Sequence, residues 1–280
     1  MKSFLEAAQE AARGAGQLVM AHYLDSHKIE NKTGFDFVTE MDQMSETYIR
    51  NFISSRFPDH HFFCEEQVSS GRMDEDEWLS QFSGYTWVVD AIDGTTNFIR
   101  KIPQFVISIA LVHDREIIAG AVYDPSRDEL FSAAKGKGAF CNGMPIHVSA
   151  EKELRNIILS VGFPASDMEQ RSQVIERLNL LGMEIGSLRI FNCAALLLCY
   201  VASGRTNASF EQGIHLWDMA AGVLIVREAG GIALKLDGTP FHIESKENLV
   251  GNPDICRAIL ERILRLSMLF HYFIIFTLES

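Results

Sequence analysis

The sequence predicts a mixed α+β and α/β fold, with an α+β half over residues 1–148 joined to an α/β half over 149–265 and a short apolar tail at 266–280. Two textures carry that expectation. Strand-like segments follow one another between His60 and Ala133, whereas past Val148 strand-like and helix-like segments alternate. Size is the third observation: 280 residues, 47% apolar and 22% charged, bury a large core and exclude a disordered or collagen-like chain.

Phe4, Ala7, Ala8, Ala11, Ala12, Ala15, Leu18, Val19 and Ala21 recur at three- and four-residue spacing, which predicts an amphipathic helix from about Ser3 to Leu24. A second helix is expected from Asp42 to Arg56, stopped by Phe57-Pro58. Strands are expected at His60–Glu65, Thr86–Asp90, Phe105–Val112, Glu116–Tyr123 and Glu129–Ala133, with Asn142-Gly143 as a hairpin turn. The second half then reads strand (Asn156–Gly162), helix (Met168–Leu181), strand (Glu184–Leu188), helix (Ala194–Ser203), strand (Asn207–Glu211) and helix (Asp218–Ala229), the last closed by Gly230-Gly231. No repeat or Pro/Gly-rich linker separates the halves, so they are expected to pack tightly, with the functional site where they meet.

Twenty-five Lys plus Arg against 37 Asp plus Glu leaves a net charge of −12, which repels phosphate backbones and anionic headgroups, so nucleic acid is not an expected partner. The five cysteines form no C-x-x-C pair, which argues against a disulfide framework or a Cys-rich zinc site. Glu6 and Glu10 interrupt any apolar core of a secretory signal, and the expected location is the cytoplasm. The run Leu266–Leu278 is apolar but shorter than the ~20 residues of a membrane helix, so no integral span is expected. Packing, partner contact and peripheral membrane attachment all stay open for it.

Four acidic segments carry the chemical information. In Thr86–Phe98 (TWVVDAIDGTTNF) an apolar strand ends in Asp90, Asp93 follows three residues later, and Gly94-Thr95-Thr96-Asn97 supplies a flexible turn and a row of backbone N–H groups. Carboxylates alone repel a phosphate, but carboxylates holding Mg²⁺ attract one, so this pairing makes sense around a hard cation. An ordinary Asx turn after a strand is the other reading. Asp218 opens an apolar helix, where it is also a good helix-start residue; Glu65 and Glu66 end a strand; Asp42 precedes the second helix and equally reads as a cap.

Together these segments resemble the inositol monophosphatase family of the Mg²⁺-dependent, lithium-sensitive phosphatase superfamily, which also contains fructose-1,6-bisphosphatases, histidinol-phosphate phosphatases and nucleotide 3′-phosphatases. The signature D-P-I-D-G-T-x-N-F is matched by Asp90–Phe98, with Ala91 in place of proline, and W-D-x-A-A-G-x-x-I-x-x-E-A-G-G by Trp217–Gly231. Asp36–Asp42, Cys64-Glu65-Glu66 and Gly136–Gly143 extend the likeness across about residues 5–265. Cys64 stands where the family usually has Gly, and Asn192-Cys193-Ala194-Ala195-Leu196 where it usually has G-[ST]-A-A-L.

The resemblance implies a layered α-β-α-β-α sandwich, a cytoplasmic homodimer, and two to three Mg²⁺ ions. It implies Glu65, Asp90, the Ile92 carbonyl, Asp93 and Asp218 as metal ligands, with Glu65 shared by a further, looser ion. Thr95 and Asp42, with Glu65, imply the machinery that activates a water; the amides of Gly94 and Thr95 imply a phosphate cradle. Asp93, the Ala194 amide and Glu211 imply contacts to substrate hydroxyls, while His215 and Trp217 are expected to pack and orient their loop. The implied reaction is hydrolysis of a small phosphorylated polyol, myo-inositol monophosphate first, with the related phosphate esters and a mainly protein-binding role as alternatives.

Overall fold

Helix α1 (Phe4–Ala21) starts on a capping box in which the Glu6 amide donates to Ser3 Oγ and the Ser3 amide to Glu6 Oε2. The computed structural model describes residues 3–33, 36–81, 83–164 and 167–264, so the apolar tail expected at 266–280 lies outside the described residues. Ala7, Ala8, Ala11, Ala12 and Ala15 of α1 are fully buried, as their spacing predicts, whereas Ala21 at the helix end is exposed. Small residues let the helix lie close to its neighbours: a Cβ on Gly16 would stand 2.5 Å from the Tyr123 ring.

A hairpin of β1 (Ile29–Thr33) and β2 (Asp36–Thr39) comes next, followed by α2 (Glu40–Ser54), β3 (His61–Cys64), and the short helices α3 (Glu65–Ser69) and α4 (Glu75–Gln81). Then come β4 (Tyr85–Asp93), α5 (Thr95–Ile99), β5 (Val106–His113), β6 (Glu116–Asp124), β7 (Glu129–Ala134), β8 (Ala139–Cys141) and β9 (Met144–Ile146). Strands β3 to β9 form one seven-stranded sheet in sequence order, parallel at β3–β4 and antiparallel elsewhere. Beyond it lie β10 (Ile158–Val161), α6 (Met168–Leu181), β11 (Ser187–Arg189), α7 (Ala194–Ala202), β12 (Ala208–Gln212), α8 (Leu216–Glu228), β13 (Ile232–Leu234), β14 (Glu247–Gly251) and α9, helical over 253–264. Their strands form a second sheet in the order β11-β10-β12-β14-β13.

The layers follow from which faces are apolar. Helices α1 and α2 cover one face of the first sheet, burying Trp87, Val89, Ile107 and Ile109. The other face packs Val88, Ala110, Val122 and Phe131 against α7 and α8, which are apolar almost all round and so lie between the two sheets, as the contacts of Ala233 and Val250 show. Helices α6 and α9 close the outer face of the second sheet over Leu159, Phe210 and Leu249. The result is the expected mixed, layered α-β-α-β-α arrangement.

The differences in detail have physical causes. Glu65, expected to end a strand, instead opens α3, because β3 stops at Cys64. Hairpin β1–β2 reads IENKT and DFVT, too polar and irregular to show alternation. The strand expected at Glu184–Leu188 sits at Ser187–Arg189, placed by parallel pairing with β10 rather than by its own composition. Glu228, at the end of α8, accepts from the amides of Gly136 (2.7 Å) and Gly138 (2.8 Å), which anchors the GKGAF turn.

Candidate metal centre

In a regular strand, residues three apart point to opposite faces. β4 breaks that rule: Asp90 pairs with Ser108 and Asp93 with Val106, three steps against two on β5. The extra residue of this bulge lets both carboxylates turn the same way. Asp218, from the first turn of α8, meets them, and one carboxylate oxygen from each lies within 4.8 Å of the other two. Glu65 is within hydrogen-bonding range of Asp90 and lines the same cavity.

These groups are packed against their own charge. Burial first, then the carboxylates of Glu65, Asp93 and Asp218, push Asp90 well above the usual carboxylate range. Burial also raises Asp93 and Asp218, against the amides of Ala194 and Ala195 that favour ionised Asp93 and the His215 charge that favours ionised Asp218. A set of clustered carboxylate oxygens suits a hard divalent cation such as Mg²⁺. The nearby Cys193 thiol, 3.3 Å from Asp93 Oδ2, is held protonated by burial and so offers no thiolate to a softer metal.

Thr95 and Asp42 meet beside this cluster. Thr95 Oγ1 lies 3.0 Å from Asp42 Oδ1 and 2.9 Å from the Ile92 carbonyl oxygen. The single hydroxyl proton serves one acceptor at a time, so an ionised Asp42 draws it away from Ile92. Asp42 is also the third residue of the α2 capping box, its Oδ2 accepting from the Thr39 amide and hydroxyl at 2.7 Å each. Cap and pairing partner are therefore roles of one side chain. Burial raises its pKa to about 6, against the pull of Thr39.

A cavity of about 530 Å³ opens from these carboxylates and reaches Ala194, Glu211 and, from α6, Gln170 and Arg171. The Ala194 amide, implied as a contact to substrate, donates here to Asp93 Oδ1 at 3.2 Å, and the Ala195 amide to Oδ2 at 2.7 Å, so Asp93 caps α7. Glu211 is 3% exposed, with Oε1 lacking a hydrogen-bond partner and burial raising its pKa strongly. A Cβ at Gly162 would lie 2.4 Å from its Oε2, which explains the glycine. Gly94, at φ +90, brings its backbone so near Gln104 that a Cβ would stand 2.9 Å from the carbonyl oxygen.

The three departures from the family pattern are each accommodated. Cys64 has φ −122, an extended conformation that needs no glycine. Asn192 has φ +50, where asparagine is the best-tolerated substitute for glycine, and Asn97 Nδ2 fastens that turn by donating to the Phe191 carbonyl at 2.8 Å. Ala91 lies inside the β4 bulge. Sequence reasoning missed Glu75, which bonds His215 Nδ1 at 2.7 Å and pairs with Lys246 at 2.6 Å, holding the imidazole stacked on Trp217 at 4.4 Å. Its acidic neighbours Asp74, Asp76 and Glu77 gave no signal that set it apart.

The inositol monophosphatase family model matches residues 1–267. The Nus factor SuhB of Escherichia coli K12 is 37% identical over 262 residues, covering 93% of this chain and 95% of that protein. The crystal structure of the extragenic suppressor protein suhB from Bartonella henselae superposes with a TM-score of 0.85 at 32% identity, covering 94% of this chain and 98% of that one. The Thermotoga maritima IMPase gives 0.83 at 31% identity, over 94% and 98% of the two chains. This chain belongs to the inositol monophosphatase family.

Among the described residues, no helix is long and apolar enough to cross a membrane.

Proposed function

We propose that the chain is a cytoplasmic Mg²⁺-dependent phosphomonoesterase whose preferred substrate is myo-inositol 1-phosphate. The observation that carries this reading is the convergence of Asp90, Asp93 and Asp218 within 4.8 Å beside the Thr95–Asp42 pair. Glu65, the three aspartates and the Ile92 carbonyl would hold two to three Mg²⁺ ions. Held there, the ions would supply positive charge to the phosphate and to the entering and leaving oxygens. Thr95 Oγ1, with its proton drawn toward ionised Asp42, accepts a hydrogen bond from the attacking water and passes the proton on to Asp42. The amides of Gly94 and Thr95 hold phosphate oxygens, and Glu211, buried with an open oxygen, takes a substrate hydroxyl.

Five free thiols are in keeping with a reducing compartment. Turnover of myo-inositol 1-phosphate, fructose 1,6-bisphosphate, histidinol phosphate and a nucleoside 3′-phosphate in Mg²⁺ tests the substrate. Fastest turnover of any of the other three overturns the inositol assignment. A second reading, a mainly protein-binding role in a larger assembly, is supported by the name Nus factor carried by its relatives. Under it the carboxylates bind Mg²⁺ while no phosphate ester is turned over. As family members are commonly homodimers, a dimer is the proposed assembly, and light scattering tests it.

A further inference from the structure

One face of α2 touches three segments of the metal centre. Asp42 meets Thr95; Ser45 Oγ donates to the Ala91 carbonyl at 3.0 Å; and Glu46 Oε2 accepts from the Glu66 amide at 3.1 Å, next to Glu65. A serine within a helix commonly bonds a carbonyl of its own preceding turn. Ser45 instead reaches across 46 positions of sequence to β4, and it is fully buried, so no solvent competes for the bond.

The peptide it reaches is the one joining Ala91 to Ile92. Its carbonyl accepts from Ser45, and its N–H donates to Asp90 Oδ1 at 3.1 Å. Fixing that plane holds the Ile92 N–H on one oxygen of Asp90. The plane sits in the β4 bulge, a place where a strand tolerates proline and where the family signature has one. Alanine there lacks the ring that would restrict the backbone.

We infer that Ser45 is a positioning residue of the metal centre, its hydroxyl holding the Ala91–Ile92 peptide and so restraining the backbone of the Asp90–Asp93 bulge at the residue whose φ proline would otherwise fix. The inference rests on the reading of this cluster as a Mg²⁺ site. It is tested by calorimetric titration of Mg²⁺ into the wild-type chain, Ser45→Ala, Ala91→Pro and the double variant, with melting measured in chelator.

The expected result is binding about fivefold weaker in Ser45→Ala, the worth of one hydrogen bond, and recovery to within about twofold of wild type when Ala91→Pro is added. A folded Ser45→Ala chain with wild-type affinity overturns the inference, as does a loss that proline does not recover. Should Ser45→Ala alone fail to fold, a double variant that folds and binds Mg²⁺ like Ala91→Pro supports the inference. A double variant that also fails to fold makes Ser45 merely structural and overturns it. Absence of Mg²⁺ binding by the wild-type chain is a separate outcome that overturns the metal-centre reading itself, and this inference with it.

Discussion

Thr95 Oγ1 and Asp42 Oδ1 lie 3.0 Å apart although 53 positions separate them, joining the start of α5 to the first turn of α2. Asp42 cannot turn away, because Thr39 holds its other oxygen with both an amide and a hydroxyl. A hydroxyl and a carboxylate so fixed can orient a water and take its proton.

Thr95→Ala is therefore expected to lower kcat about 100-fold while Mg²⁺ affinity stays within about threefold. Steady-state kinetics beside calorimetric titration separate the two quantities. Loss of affinity without loss of turnover at saturating Mg²⁺ would make the hydroxyl structural.

Asp93→Asn keeps the size of the side chain and removes its charge. Asparagine retains one of the two acceptors that bind the Ala194 and Ala195 amides and removes a charge that burial disfavours, so in chelator the two effects oppose each other and the fold is expected to be unchanged. Turnover is expected to fall at least about 100-fold. Wild-type activity in this variant would remove Asp93 from the site.

Glu211→Gln is expected to raise KM for myo-inositol 1-phosphate several-fold more than for p-nitrophenyl phosphate, which offers no polyol hydroxyl. Gly162→Ala is expected to act the same way, since its Cβ would displace the Glu211 carboxylate. Equal effects on both substrates would show that Glu211 does not contact the alcohol.

The buried carboxylates also fix a pH dependence. Asp42 is raised to about 6 and Asp218 to about 8, from a value near 4 in the unfolded chain. The folded state then holds more protons than the unfolded one, so metal-free stability falls as pH rises from about 4 to about 8. Mg²⁺ binds the ionised form and offsets the loss. The increase in Tm on adding Mg²⁺ is expected to be larger at pH 8 than at pH 5, and equal increases would contradict the carboxylate account.

The sequence made the helices and central strands legible because their apolar spacing is what packs them, as in the alanine stripe of α1 and the runs of β5 and β6. It showed which acids belong together through two signatures, but not how Asp90 and Asp93 come to share a face. That depends on a bulge set by pairing with β5. Glu75 and Ser45 escaped notice for a related reason: their partners, His215 and the Ala91 carbonyl, are brought near only by folding. Asp93 as the cap of α7 was hidden likewise, 101 positions from Ala194.

The most direct test of the central claim is hydrolysis of myo-inositol 1-phosphate by the purified chain before chelation, after removal of divalent metal, and after Mg²⁺ is returned. The expected result is activity lost on chelation and restored by Mg²⁺. Activity that survives complete removal of divalent metal, or none at any Mg²⁺ concentration, would contradict it.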